Sequence, residues 1–307
     1  LKKVTKKLLL NWISGFDTST VQVSKSFFVS FFSKKEALTC CINPLFKERA
    51  MEDRPPSLDI VGSIARIRFN RPRHKNRLQP EDVLTLRERF TQIATDTSIR
   101  VLILTGAGDT FSAGFDLNAI AAGAVGTPES GPGDFALMVD ALEALPQPTI
   151  ARLNGGVYGG ATDLALACDF RVGVTTMQAA MPAARLGLHY YRSGILRYAS
   201  RLGHDNAKRM FLTAERLDAP ELHSIGFLTQ LVAPPDLDET VDSLAATLAA
   251  NAPLAVQGVK LALNELSRGA WDDAAFARRA SVALASEDLR EGVRAILEKR
   301  APKFQHR

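Results

Sequence analysis

The chain has 307 residues, of which 46% are hydrophobic and 23% charged, enough for a sizeable core and ordinary for a globular protein. Those values exclude a chain disordered throughout, a collagen and a coiled coil. Three cysteines cannot build a disulfide framework, and no run of about 18 apolar residues exists, so a reducing, cytoplasmic setting and no membrane span are expected. The net charge of +5 is local: residues 1–50 hold eight lysines and one arginine against three acids, whereas the remainder carries 29 bases and 30 acids. A nearly neutral body gives no reason to expect a nucleic-acid-binding surface there.

Residues 1–50 differ in composition from the rest: rich in Lys, Ser, Phe and Leu, with only Ala37 and Ala50 as alanines, against the Ala- and Arg-rich sequence from Met51 onward. The abrupt change suggests that translation begins at Met51 and that the upstream stretch is not native. A targeting segment is the alternative, but there is no arginine before Arg49, and Leu8-Leu9-Leu10 is too short for a secretory apolar run. Cys40-Cys41 lacks metal-ligand spacing, and the segment receives no function.

Beyond Met51, residues 58–69 read as a strand, with Gly62 as a turn or bulge. Residues 79–97 read as an amphipathic helix: Pro80 sits near its start, and Val83, Leu86, Phe90 and Ile93 recur at three- and four-residue spacing. The apolar run at 100–105 suits a buried parallel strand. Residues 122–134 are loop, dense in Gly and Pro, and 135–145 are helix. A second buried strand follows at 149–153, then a small-residue helix at 161–168 and a strand at 170–174. From Ser193 onward helix prevails, apart from a short strand near 228–232. The chain has no internal repeat. Strand–helix alternation of this kind predicts an α/β core with a parallel sheet, whose ligands bind beyond the carboxyl ends of the strands.

Two strands end in glycine-bearing turns. In Phe111-Ser112-Ala113-Gly114-Phe115-Asp116, Gly114 allows a sharp corner that leaves the Phe115 N–H free. In Val157-Tyr158-Gly159-Gly160-Ala161, paired glycines precede a helix, whose first N–H groups have no internal partners and lie at the positive end of the dipole. Two such donors converging on one oxygen would stabilise an enolate formed from a thioester. Packing or a simple turn is the competing reading of either glycine motif alone.

From about Leu58 to Arg307 the chain resembles the crotonase superfamily, also called the enoyl-CoA hydratase/isomerase family. The resemblance is carried by FNRP (69–72), LTGAGDTFSAGFDL (104–117), LNGGVYGGATDLALACDFRV (153–172), LGL (186–188), RLG (201–203) and EDLREGVRAILEKRAPKF (287–304), in family order. It implies an α/β fold, a crotonase-like spiral of ββα units with a C-terminal helical trimerisation region. The implied division is a core at 51–250 and a helical region at 251–307, assembled as homotrimers that often pair into homohexamers. The implied substrate is an acyl-CoA thioester, with coenzyme A entering as part of the substrate and no separate cofactor. Phe115 and Gly160 fall on the family's two oxyanion positions, and 122–134 falls where the family has a mobile loop. Arg73, Ala113 and Lys299 fall at or near positions that contact CoA, solvated charge being the alternative for the two cations.

The acids depart from the family. Its hydratases use two glutamates to add water across a double bond. The first slot here is Asp163, one methylene shorter, and the second is Ala183, which cannot move protons. The next segment, Gly187-Leu188-His189-Tyr190-Tyr191, replaces the family's proline and glycines. Asp163 is therefore the candidate acid or base, aided by His189, Tyr190 or Tyr191. The competing readings are an N-terminal helix acid for Asp163 and space-filling tyrosines. Cys168 reads as packing, and His74, His204, His223 and His306 are scattered and suggest no metal site. The expectation is an enoyl-CoA hydratase/isomerase-like enzyme with non-standard acids. The alternatives are a decarboxylase or C–C hydrolase of the same superfamily, an inactive acyl-CoA-binding scaffold, and an RNA-associated relative.

Overall fold

The computed structural model describes residues 54–123 and 133–306. Residues 1–50 and most of the expected loop at 122–134 lie outside the described residues. Three successive segments repeat one pattern, in which a buried strand turns over three or fewer residues into a short second strand. Strand β3 (Val101–Gly106) leads to β4 (Thr110–Ser112), β5 (Thr149–Leu153) to β6 (Gly156–Tyr158), and β7 (Phe170–Val174) to β8 (Gln178–Ala180). The first strands join β1 (Arg54–Val61), β2 (Ile64–Asn70) and β10 (Gln230–Val232) in a six-stranded sheet of order β1-β2-β3-β5-β7-β10, parallel except at the β1–β2 hairpin. The second strands form their own sheet of order β4-β6-β8-β9, with β9 (Arg216–Asp218) antiparallel at its edge.

Helix α1 (Pro80–Thr95) starts at a proline, carries a Gln79–Asp82 capping box and buries Val83, Leu86, Phe90 and Ile93, the face its periodicity marks. The short α2 (Leu117–Ala121) is capped by Asp116, which accepts from Asn118 N at 2.9 Å. Helices α3 (Asp134–Glu143) and α4 (Gly160–Ala167) cover the large sheet with α1, and Met138, Val139, Leu142, Leu164 and Leu166 are fully buried between them. The chain continues through α5 (Arg192–Leu202), α6 (His204–Lys208), α7 (Ala219–Ser224), α8 (Leu237–Ala249), α9 (Pro253–Ser267), α10 (Asp273–Ala285) and α11 (Glu287–Leu297). None of the described helices is long and apolar enough to cross a membrane.

Three expectations need correction. The strand at 58–69 is two antiparallel strands, because Gly62 takes φ +59° and closes a tight turn before Ile64. Strands β4, β6 and β8, the second strands of the implied ββα units, are not placed by the periodicity: at three residues each they are too short to show alternation. The helical stretch from Ser193 is also interrupted by β9.

Asn76 fastens the first of these turns. Its buried side chain donates through Nδ2 to Ala107 O (2.8 Å) and Thr110 O (2.7 Å) and accepts from Arg71 N (3.0 Å). Asn76→Ala would leave these groups unpaired in a dry interior, where each unmet polar group costs about 1–3 kcal/mol. The variant is expected to lose about 3 kcal/mol of stability, read as a lowered urea midpoint at unchanged slope.

Candidate active site

The small sheet brings together turns that are far apart in sequence. Strands β4, β6 and β8 run parallel, with Ser112 beside Val157 and Tyr158 beside Ala180. Their carboxyl ends therefore stop at a common edge, and the residues that follow are Ala113–Phe115, Gly159–Asp163 and Met181–Ala183.

The first corner is held by neighbours on both sides. Ala113 N donates to Lys75 O (2.7 Å), Gly114 N to Ser112 Oγ (3.1 Å) and Asp116 N to Leu78 O (2.9 Å). The Phe115 N–H between them has no acceptor among the described residues. At the second corner Gly159 N donates to Ala180 O (2.9 Å) and Thr162 N to Gly159 O (3.0 Å), while Gly160 N, the first residue of α4, likewise has no acceptor among the described residues. Gly114 (φ +88°) and Gly159 (φ +56°) hold backbone that side chains resist. A Cβ on Gly114 would stand 2.5 Å from Tyr158 O and 3.1 Å from Gly160 N, so the two corners are in van der Waals contact.

Asp163 lies one turn into α4 and is completely buried. Its Oδ1 accepts from Arg197 Nη1 (2.7 Å), and its Oδ2 from the hydroxyls of Tyr190 (3.2 Å) and Tyr191. Arg197, on α5 with no exposed side-chain surface, also binds Asp140 (2.7 Å) and Glu143 (3.1 Å) on α3, and Glu143 accepts in turn from Arg268 Nε on α9 (3.0 Å). Burial opposes ionisation of the Glu143 carboxyl, but the Arg197 and Arg268 guanidiniums outweigh it and hold the pKa below 4.5. Burial and the adjacent Asp163 carboxylate push the hydroxyls of Tyr190 and Tyr191 well above 10. Both phenols are thus protonated donors to a carboxylate, and their rings stack 4.4 Å apart.

The structure gathers Phe115, Gly160, Asp163, Tyr190 and Tyr191 and leaves other candidates aside. His189 is exposed, and its Nδ1 lies 2.9 Å from Tyr190 O rather than against Asp163. Ala183 opens the 3-10 turn Ala183–Leu186, three residues past the end of β8, and is buried, with no group that titrates. Ala113 lies within the first corner, whereas Arg73, in the turn after β2, and Lys299, after α11, are exposed side chains. Among the described residues no cluster of His, Cys, Asp or Glu could hold a metal ion.

Sequence reading missed Arg197, Glu143 and Arg268. A signal was present: Arg197 falls in the buried stripe of α5 with Gly194, Tyr198 and Leu202, and Glu143 in that of α3 with Val139 and Leu142. Opposite charges in two apolar stripes point to an internal ion pair. Arg197→Met would leave Asp163 buried without its cation and Glu143 held by Arg268 alone, and a loss of about 3–5 kcal/mol is expected in urea unfolding. Because the folded pKa of Glu143 is depressed, its contribution is complete above 4.5 and is lost as the pH falls below it. Stability of the natural chain should therefore drop below pH 4.5, and the drop should be shallower in the variant.

The enoyl-CoA hydratase/isomerase family model matches residues 59–307. Carnitinyl-CoA dehydratases from Salmonella typhi and Escherichia coli K12 are each 34% identical over 253 residues, covering 80% of this chain and 96% of theirs. The solved enoyl-CoA hydratase/carnitine racemase from Magnetospirillum magneticum superposes with a TM-score of 0.77 at 28% identity, covering 83% of this chain and 96% of its own. Enoyl-CoA hydratase from Bacillus anthracis superposes with a TM-score of 0.73 at 30% identity, covering 83% of this chain and all of its own. With its paired sheets, its C-terminal helices and these likenesses over nearly all of the described chain, the protein belongs to the enoyl-CoA hydratase/isomerase family of the crotonase superfamily.

Proposed function

We propose that the protein is an acyl-CoA enzyme that passes through a thioester enolate held by the Phe115 and Gly160 N–H groups. The observation that carries this reading is the pair of touching corners in which every neighbouring N–H named above is bonded and these two are not. A preorganised donor of this type contributes about 3–4 kcal/mol to transition-state stabilisation when negative charge develops on the oxygen it faces. Arg73 and Lys299 are proposed contacts for the phosphates of CoA, where a cation matches the ligand's charge.

Proton transfer is assigned to the Tyr191 hydroxyl with Asp163 behind it. Asp163 has no exposed surface, so it meets a substrate only through another group. As the α-carbon loses its proton to the Tyr191 oxygen, the hydroxyl proton passes to Asp163 and negative charge moves to the thioester oxygen. The reverse sequence reprotonates the α-carbon. Arg197 Nη1 holds Oδ1 of Asp163 at 2.7 Å, which leaves Oδ2 facing the Tyr191 hydroxyl.

The reaction class is enoyl-CoA hydratase/isomerase-like, as in the relatives. A decarboxylation or C–C cleavage is the second reading, and Ala183 favours it. Hydration needs an acid and a base, whereas an enolate released by breaking a C–C bond needs only one proton returned.

The C-terminal helices support a homotrimer or homohexamer. Val259, Leu263 and Leu266 on α9 and Ile296 and Leu297 on α11 are all at least 60% exposed, an apolar surface that a second copy would cover. Light scattering on the purified protein should give a mass three or six times that of one chain, and a monomer at micromolar concentration would overturn the assembly.

The mechanism is tested with unsaturated, β-keto and malonyl-type CoA esters in deuterated water. At least one ester should exchange its α-hydrogen or turn over. Tyr191→Phe should slow that step by about 100-fold or more while CoA binding is retained. No exchange and no product with any ester, despite tight CoA binding, would sink the enolate and leave a binding scaffold.

A further inference from the structure

One side chain roofs the Gly160 corner. A Cβ on Gly160 would stand 2.6 Å from Cζ and 2.9 Å from Cε1 of Phe135, so the tip of that ring rests on the glycine. Phe135 lies in the first turn of α3 and is 8% exposed. Its ring centroid is 5.4 Å from that of Phe115, at the other corner, and 6.5 Å from that of Tyr191. A single ring thus borders both donor corners and the phenol. Behind Tyr191 the wall continues, with Tyr190 stacked on it, Phe211 at 5.2 Å from Tyr190 and Tyr198 at 4.4 Å from Phe211.

These positions constrain what can follow a thioester carbonyl. An oxygen bound to the Phe115 and Gly160 N–H groups would put the acyl chain beside Gly160, the residue on which the tip of the Phe135 ring rests. The Phe135 ring closes the space over Gly160, and aromatic rings packed on one another yield little, because each has only two side-chain torsions. A chain that extends past the first few carbons would then meet the Phe135 ring.

We propose that Phe135 is a specificity-determining residue that limits the acyl group of the CoA thioester to a short chain. This rests on Phe115 and Gly160 being the thioester's anchor.

Calorimetric binding of butanoyl-CoA, octanoyl-CoA and free CoA separates the two ideas. The natural protein should bind butanoyl-CoA at least about tenfold more tightly than octanoyl-CoA, the scale on which a methylene that does not fit is rejected. Phe135→Ala should bring the two esters within about threefold of each other or invert their order, with Phe135→Leu between and free CoA unchanged. An unchanged ratio in a variant whose circular dichroism matches the natural protein would overturn the role of Phe135. Equal binding of both esters by the natural protein would do the same. Should Phe135→Ala fail to fold, Phe135→Leu decides by the same ratio. If the natural protein binds free CoA but gains nothing from either acyl group, the anchor itself is wrong and the limit goes with it.

Discussion

A backbone amide inside a protein normally finds an acceptor, and a site that leaves two of them without one has to be built by the backbone around it. Here the builder is the parallel pairing of β4, β6 and β8. Parallel strands end at the same edge of a sheet, so the residues just beyond them are neighbours however far apart they lie in sequence. Gly114 and Gly159 then turn the chain at angles that other residues resist, and the corners meet at van der Waals distance. Asn76 and Asn154 hold the turns that feed these strands: Asn154 donates to Gly108 O at 2.7 Å, and Asn76 to Thr110 O at the same distance. The position of Asp163 relative to the corners follows from the pitch of α4, which Gly160 begins.

The electrostatics around Asp163 change what that carboxylate can do. Three carboxylates and Arg197 form one cluster across α3, α4 and α5, with Asp163, Glu143 and Arg197 buried and Asp140 partly exposed, and Arg268 extends it to α9. Ion pairs of this sort gain little net stability over an apolar core, because both partners lose their water. Their geometry is nonetheless fixed, since removing one charge leaves the others uncompensated. The consequence is chemical. Asp163 is one methylene shorter than a glutamate and fully buried; the Tyr191 hydroxyl donates to it and, in the proposed mechanism, meets the substrate in its place. In that proposed mechanism a phenol–carboxylate relay of Tyr191 and Asp163 stands where the family resemblance implies a pair of carboxylates.

Helix α9 is inside out relative to a surface helix of a monomer. Its inner face is polar: Lys260 Nζ donates to Gln147 O at 2.8 Å, Asn264 Nδ2 to Glu143 O at 2.9 Å, and Arg268 pairs with Glu143. Its outer face carries Val259, Leu263 and Leu266. The inner face fastens the helix to the same Glu143 that binds Arg197, so the C-terminal helices and the candidate site share one charged residue.

The local elements and the two corners are legible in the residues alone. Helix α1 follows from four apolar residues at helical spacing behind a proline, β3 and β5 from short runs of branched side chains, and the two glycine turns from residues that tolerate positive φ. Those signals are local: they depend on the periodicity and the torsional freedom of neighbours along the chain. The family motifs in the same stretch then gave the order of the fold. Only the tertiary structure decided which strands of three residues pair, because such strands carry no period of their own and are defined by their partners. It alone decided that Asp163 is sealed and Tyr191 turned toward it, that His189 stays outside, and that Phe135 covers Gly160. Each of these is a contact between residues 25 or more apart in sequence or a choice between two exposures of one side chain, and both are settled by packing.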